Sequence, residues 1–194
     1  MYKIPKEILL GEQSYVIREK GDYRMILDCF SILEDIELTK EERILTCLLI
    51  FYEKFNSVDD ILQEEHLQEL VEQMFLFFNC GEEDTTFHQQ ERKLMDWEQD
   101  SQLICSAVNK VANMEVRSVD YMHWWTFMGY YMSIGECLYS TIITIRDKIV
   151  SGKKLEKHER EFRQKNPRYF TWNSKTTAQQ EADAWLKDVW NNGK

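Results

Sequence analysis

Apolar positions recur with helical spacing along most of the chain. From residue 23 to 33, and again after residues 40, 57, 97 and 138, apolar side chains return every three or four positions. That spacing places them on one face of an α-helix. The pattern therefore predicts a mainly α-helical protein.

Two tetrapeptides mark helix starts. Thr39-Lys-Glu-Glu42 and Ser57-Val-Asp-Asp60 fit the capping box, in which a hydroxyl and an acid three residues later each accept a hydrogen bond from a free backbone N–H. The first predicts a helix that reaches Tyr52. The second predicts a single helix through Met74, ending near Asn79 and Gly81, since asparagine and glycine favour helix ends.

The two ends of the chain differ from this helical middle. Residues 8–17 are apolar at both ends around a polar centre, which predicts a small β-hairpin, with an irregular arm as the alternative. Residues 82–93 read as an exposed connector before a helix over 97–111. Residues 177–180 predict the cap of a last amphipathic helix. We expect residues 1–170 to form one helical domain that begins with the hairpin, and residues 171–194 to form a C-terminal extension.

Residues 120–136, DYMHWWTFMGYYMSIGE, concentrate aromatic side chains between two acids. The uncharged run inside them covers 15 residues, fewer than the roughly 20 that a membrane-spanning helix needs. Apolar residues lie on nearly all sides of the helix that this run would form, which is typical of a buried central element.

Composition narrows the functional classes. The chain has 194 residues and a net charge of −10, which disfavours nucleic acid as a partner because phosphate contacts supply most of that affinity. Five cysteines lie far apart without a CxxC pair, as expected for reduced thiols in a cytoplasmic protein. Residues 53–100 carry 14 acids and 3 bases, whereas residues 141–170 carry 9 bases and 4 acids. Pairing within one fold, or packing of copies against each other, explains this asymmetry equally well.

No motif for catalysis, a metal or a cofactor stands out. The four histidines are scattered, and the sequence lacks HExxH, GxGxxG, a P-loop and GxSxG. We therefore expect a non-enzyme without a cofactor or a metal. Four polar or indole side chains interrupt apolar helical faces: Asp100, His123, Trp124 and Arg146. Burying an unpaired charge costs several kcal/mol, so we expect them to form a structural polar core, with a catalytic use as the lesser alternative.

Surplus aromatic side chains indicate a surface that binds another chain. The side chains around residues 74–78 point in several directions, so they cannot all face one core. Core packing remains the alternative for each single residue, but the set predicts some exposed apolar surface. The candidates are Phe75, Phe78, Trp125 and Tyr131, with Trp185 and Trp190 of the C-terminal helix as a second docking element.

The order of several short motifs resembles one protein family. The motifs are Gly21-Asp22-Tyr23-Arg24, Leu48 with Ile50-Phe51-Tyr52, Trp97-Glu98-Gln99-Asp100, Met122-His123-Trp124-Trp125-Thr126-Phe127 and Ile143-Thr144-Ile145-Arg146. Together they resemble the bacteriophage gene-product-fifteen family of siphophages and prophages, over roughly residues 8–170. The HWW tripeptide is the most specific part of this resemblance.

The resemblance implies a mostly helical protein encoded before the tape-measure protein of a phage tail. That gene position is typical of tail assembly chaperones, which keep the tape-measure chain soluble in the host bacterial cytoplasm while tail-tube subunits assemble. The implied partners are the tape-measure protein and tail-tube subunits, and the charge asymmetry adds a second copy of this chain as a candidate partner. The alternative is a minor structural component retained in the virion. The family assigns no catalytic residues.

Overall fold

The computed structural model describes residues 3–83 and 93–172. The chain divides into two compact units, residues 1–143 and 144–194. The C-terminal helix expected to carry Trp185 and Trp190 lies outside the described residues. Every helix in the described ranges is too short or too polar to cross a membrane.

The first unit begins with the predicted β-hairpin. Strand β1 (Glu7–Leu10) pairs antiparallel with β2 (Gln13–Val16), and Ile8 lies opposite Tyr15 with both side chains buried. The two-residue turn opens at Gly11, whose φ of 60° is positive. A glycine at the first turn position is the requirement of a type II′ turn, whose twist suits a hairpin.

The remainder is mainly helical, as the spacing of apolar residues predicts. Two of the helices start at the predicted capping boxes, with Thr39 and Glu42 at one and Ser57 and Asp60 at the other. In chain order the helices are α1 (Tyr23–Leu33), α2 (Lys40–Phe51), α3 (Val58–Leu62), α4 (Leu67–Phe78), α5 (Ser101–Ala112), α6 (Trp124–Met132), α7 (Leu138–Val150) and α8 (Lys157–Lys165).

The prediction of one helix from Ser57 through Met74 is wrong, because the chain leaves the helix between α3 and α4. Glu64, in this break, accepts a hydrogen bond from the hydroxyl of Tyr15 at 2.8 Å and forms an ion pair with Lys54. Tyr15 belongs to the hairpin and lies 49 positions from Glu64, so this bond fixes Glu64 against the hairpin. The predicted helix end is correct, since Gly81 has a φ of 83° and donates its N–H to the carbonyl of Leu76.

Two later helices are shorter than their patterns suggest. Helix α5 starts at Ser101 instead of Trp97, and residues 97–100 form turns. The carboxylate of Asp96 accepts the backbone N–H groups of Glu98 and Gln99 at 2.9 and 2.7 Å, and its carbonyl accepts the N–H of Asp100. Helix α6 covers only residues 124–132 of the aromatic run, and Met132 at its end is 67% exposed.

Aromatic rings dominate the core of the first unit. Tyr23 of α1 stacks on Phe127 of α6 with 4.5 Å between ring centroids and 2° between planes. Phe51 of α2 meets Phe77 and Phe78 of α4 in edge-to-face geometry. Such pairs add to the free energy of burial, and they join α1, α2, α4 and α6.

The second unit contains the end of α7, α8 and a 3-10 turn over Pro167–Tyr169. The guanidinium of Arg146 donates to the carbonyl of Tyr169 at 2.8 Å and lies 4.4 Å from the centroid of the Trp172 ring. Lys148 of α7 forms an ion pair with Glu159 of α8. Two of the basic side chains of residues 141–170, Arg146 and Lys148, thus have partners within the unit.

Candidate functional site

A buried carboxylate joins the segment before α1 to the segment before α6. Asp22 is 4% exposed, and its oxygens accept hydrogen bonds from the backbone and guanidinium of Arg24 and from the backbone N–H of Met122 at 2.9 Å. The N–H of Tyr23 returns a bond to the carbonyl of Met122. Two short motifs, separated by about a hundred residues, therefore form one hydrogen-bonded bridge.

His123 extends this bridge to the N-terminal arm, residues 3–6. Its Nδ1 lies 3.0 Å from the N–H of Trp125, and its Nε2 lies 2.9 Å from the carbonyl oxygen of Pro5. A backbone N–H can only donate, so Nδ1 accepts and Nε2 carries the proton of a neutral imidazole. Burial lowers the pKa of His123, and the charge of Lys6 acts in the same direction.

Gly21 allows these segments to approach each other. Its φ is 76°, and an added Cβ would lie 2.7 Å from Cζ of Phe77 and 3.1 Å from Nε2 of His123. Any side chain would therefore push the histidine or the phenylalanine away. A glycine meets both the backbone and the steric requirement.

The neighbouring tryptophans bond to the end of α4. The indole N–H of Trp124 donates to the carbonyl of Phe78, and that of Trp125 donates to the carbonyl of Phe77, both at 2.9 Å. The last carbonyls of a helix have no partner within it. The HWW tripeptide thus caps its own helix through His123 and satisfies the end of another through its two indoles.

An open groove of about 750 Å³ lies beside this bridge. Its lining residues come from the N-terminal arm, from Met114 and from residues 119–130. Three apolar lining side chains face solvent, Ile4 (43% exposed), Met114 (42%) and Tyr121 (44%). The apolar lining comprises these three with Val119, Met122 and Tyr130.

The polar groups of the groove are few. Both charged lining residues are lysines, Lys3 and Lys6, and the remaining polar members are Thr126 and His123. Both ring nitrogens of His123 are already hydrogen-bonded. No cluster of three or more metal-binding side chains occurs within residues 3–83 and 93–172. The arrangement suits binding of apolar surface.

The four residues expected to form a polar core are all buried, with exposures of 1–4%. Trp124 bonds to the backbone of Phe78, and His123 bonds to the backbone of Pro5 and Trp125. Asp100 accepts the backbone N–H of Asp96 at 3.1 Å. Arg146 belongs to the second unit, where it bonds to Tyr169. Backbone partners explain much of this burial, and residue types alone do not reveal them.

The aromatic candidates for partner binding lie away from the groove. Phe78 is 4% exposed and packs between Phe30 and Phe51, so it belongs to the core. Phe75, Trp125 and Tyr131 are partly buried. The hydroxyl of Tyr131 shares a 2.6 Å hydrogen bond with that of Tyr139. Trp185 and Trp190 are outside the described residues.

The sequence pattern missed the exposed members Ile4, Met114 and Tyr121. The available signal was the pair of apolar residues between two lysines in Lys3-Ile4-Pro5-Lys6. Such an arm can present an apolar side chain between two charges. Its position beside the aromatic run depends on the His123 contact, which links residues 118 positions apart.

Comparison with known proteins gives one family. The family model described as Bacteriophage Gp15 protein matches residues 4–171. Neither the curated proteins nor the solved structures compared with the chain contain a match. The matched stretch includes the Asp22 bridge, the HWW tripeptide and nearly all of the groove lining. The chain belongs to the bacteriophage Gp15 protein family.

Proposed function

We propose that this phage-related protein is a tail assembly chaperone-like protein that binds the tape-measure protein. Binding keeps that long chain soluble until tail-tube subunits assemble around it. The observation that carries the proposal is the open groove whose rim exposes Ile4, Met114 and Tyr121. Apolar side chains grouped on a surface mark an interaction site more often than scattered ones do.

The groove suits a helical segment of another chain. Along α6 and its cap, His123, Thr126 and Tyr130 line the groove at positions i, i+3 and i+7. A client helix that presents apolar anchors at the same spacing can pack against this face. Each 100 Å² of apolar surface that such packing removes from water contributes about 2.5 kcal/mol before the costs of association.

A binding role also agrees with the chemistry of the groove. Small-molecule sites are usually clefts that bury most of the ligand and orient it with a few convergent polar groups. This groove is open, and of its four polar members the histidine already has both ring nitrogens hydrogen-bonded. We therefore propose a non-enzymatic protein that acts in the host bacterial cytoplasm, where the tape-measure chain is made.

Co-expression with the downstream tape-measure gene tests the proposal. The tape-measure protein should become more soluble and should co-purify with this chain through a C-terminal tag on the latter. An unrelated acidic helical protein of similar size, expressed in its place, serves as the control. Equal solubility in both cases, together with no co-purification, would contradict the proposal.

The alternative function is a minor structural component that remains in the tail. The opposite charges of residues 53–100 and 141–170 favour ordered packing of copies or neighbours. Mass spectrometry of purified virions separates the two functions. A chaperone should be absent from mature tails, whereas stoichiometric amounts of this chain would establish the structural alternative.

A further inference from the structure

Two lysines of the N-terminal arm are held at the rim of the groove. Lys3 and Lys6 are exposed and flank the exposed side chain of Ile4. The backbone of the arm is fixed at two of its own residues, since the carbonyl of Pro5 accepts from His123 and that of Lys6 accepts from Ile17, both at 2.9 Å. The ammonium groups are therefore presented on an anchored segment beside an apolar surface.

This rim differs in charge from the rest of the molecule. The whole chain carries −10, but the groove lining contains no acid. The buried carboxylate of Asp22, which bonds to the backbone of the lining residue Met122, is also paired with Arg24. Among the exposed acids next to lining residues in the chain, Glu7 accepts from the hydroxyl of Ser14, Glu115 bonds to Arg117, and Asp120 is not part of the lining. The positive charge of the rim is thus free to meet a ligand.

We infer that the groove binds amphipathic helices that carry carboxylates beside their apolar anchors. The apolar floor takes the anchors, and Lys3 and Lys6 pair with the acids along one edge. The inference rests on the proposed function for the source of the helix, a segment of the tape-measure protein. It adds the chemistry by which one segment of that long chain is selected.

The expected selectivity is modest. Partly exposed ion pairs contribute little each, because water and salt screen them. A helix with two acids facing the lysines forms two such pairs, whereas a helix with two bases there meets two repulsions. The two helices should therefore differ about tenfold in Kd. Apolar burial therefore supplies affinity, while the lysines supply the choice among segments.

Two model peptides test the inference with the full-length protein, tagged at its C-terminus. Both are fluorescein-labelled helices with identical leucine anchors, and the flanking positions carry glutamate in one and lysine in the other. Fluorescence anisotropy at low salt measures each Kd. The glutamate peptide should bind about tenfold more tightly. Attraction by the overall negative charge of the protein would favour the lysine peptide, so the sign of the difference is informative.

A charge-reversal variant and a matched control locate the effect. Lys3→Glu with Lys6→Glu should remove or invert the preference. Lys154→Glu with Lys157→Glu changes the net charge equally at two exposed lysines with the same spacing. That control should keep the wild-type preference. Circular dichroism should show the same helix content in all three proteins, since both pairs are on the surface.

The remaining outcomes separate this inference from the proposed function. Equal binding of both peptides, preference for the lysine peptide, or binding of neither would overturn the charge selection. Co-purification of the tape-measure protein with the Lys3→Glu, Lys6→Glu variant at wild-type levels would do the same, yet leave the chaperone proposal intact. Concentration-dependent oligomers that this variant abolishes would instead assign the groove to a second copy of the chain.

Discussion

The aromatic run around α6 has a core side and a groove side that differ in their exposure. Trp124 and Phe127 on the core side are each 1% exposed, whereas Tyr121 on the groove side is 44% exposed. Tyr130 lines the groove as well. Residues of the same chemical type therefore have different surroundings within ten positions. Their surroundings follow from which segments pack on each side, α1 and α4 on one and a short arm on the other.

Because the two sides differ in exposure, we expect substitutions on them to have separate effects on stability and on client binding. Substitutions on the core side should lower the free energy of unfolding, while those on the groove side should leave it nearly unchanged and weaken client binding. A core position that proved tolerant, or a groove position that proved essential for folding, would break the distinction.

Replacement of Trp124 should have the largest effect. Trp124→Ala removes an indole that donates to Phe78 and packs against Phe30 and Phe127. The expected loss is about 3–5 kcal/mol of unfolding free energy, measured by urea denaturation followed by circular dichroism. Tyr121→Ala, on the exposed side, is the matched control and should cost under about 1 kcal/mol. Equal losses would contradict the assignment of the two sides.

Replacement of Gly21 should come next. Gly21→Ala combines a positive φ with a contact of 2.7 Å to Phe77, so the expected loss is about 2–4 kcal/mol. Gly11→Ala provides the control, since its φ is also positive but its Cβ would meet nothing within 4 Å. That variant should lose only about 1 kcal/mol, the backbone cost alone. The difference between the two losses measures how closely the Asp22 bridge is packed.

Acidification should weaken the bridge through His123. Burial and Lys6 lower the pKa of His123, while the Pro5 carbonyl and Asp22 oppose that shift. The unfolded chain, with a histidine pKa of about 6.5, then binds more protons than the folded one. Stability is accordingly full above that value and falls as pH drops through the folded pKa.

The comparison variant for this effect is His123→Asn. Asparagine also caps a helix but does not titrate, so its unfolding free energy should change less than that of the wild type between pH 7.5 and pH 5.5. Urea denaturation at both pH values gives the two differences. An equal pH dependence in the two proteins would show that His123 is not the titrating group.

Groove substitutions should affect stability least. Met114→Ser removes an apolar side chain that is 42% exposed, so unfolding free energy should change by no more than about 0.5 kcal/mol. Co-purification of the tape-measure protein should nevertheless fall several-fold. Met132→Ser is the control, because Met132 is 67% exposed and lies outside the groove. A similar fall with Met132→Ser would place the client surface elsewhere.

Local patterns predicted the elements that depend on nearby residues. The hairpin, both capping boxes and the end of α4 at Asn79 and Gly81 follow from turn and capping chemistry within a few positions. Residue spacing likewise predicted α1 and α7. These signals are strong because each turn or capping residue acts on a backbone group only a few positions away in the chain.

Long-range contacts account for what the sequence did not reveal. The break at Glu64 depends on Tyr15, 49 positions away, and the late start of α6 depends on its pairing with Asp22. The groove exists because Pro5 bonds to His123. Residue types predicted an aromatic binding surface in general, but Phe78 lies in the core and Ile4 on the rim. The sequence pattern shows which side chains are apolar, but it does not show which distant residue packs against each of them.

Hydrogen–deuterium exchange with mass spectrometry tests most directly whether the tape-measure protein binds in the groove. The exchange is measured on the free protein and on its complex with the tape-measure protein. Backbone amides of the N-terminal arm and of residues 114–130 should exchange more slowly in the complex. Amides of α2, which contributes no residue to the groove lining, should change little. Protection confined to other segments, with the arm and residues 114–130 unaffected, would contradict the groove as the place where the client binds.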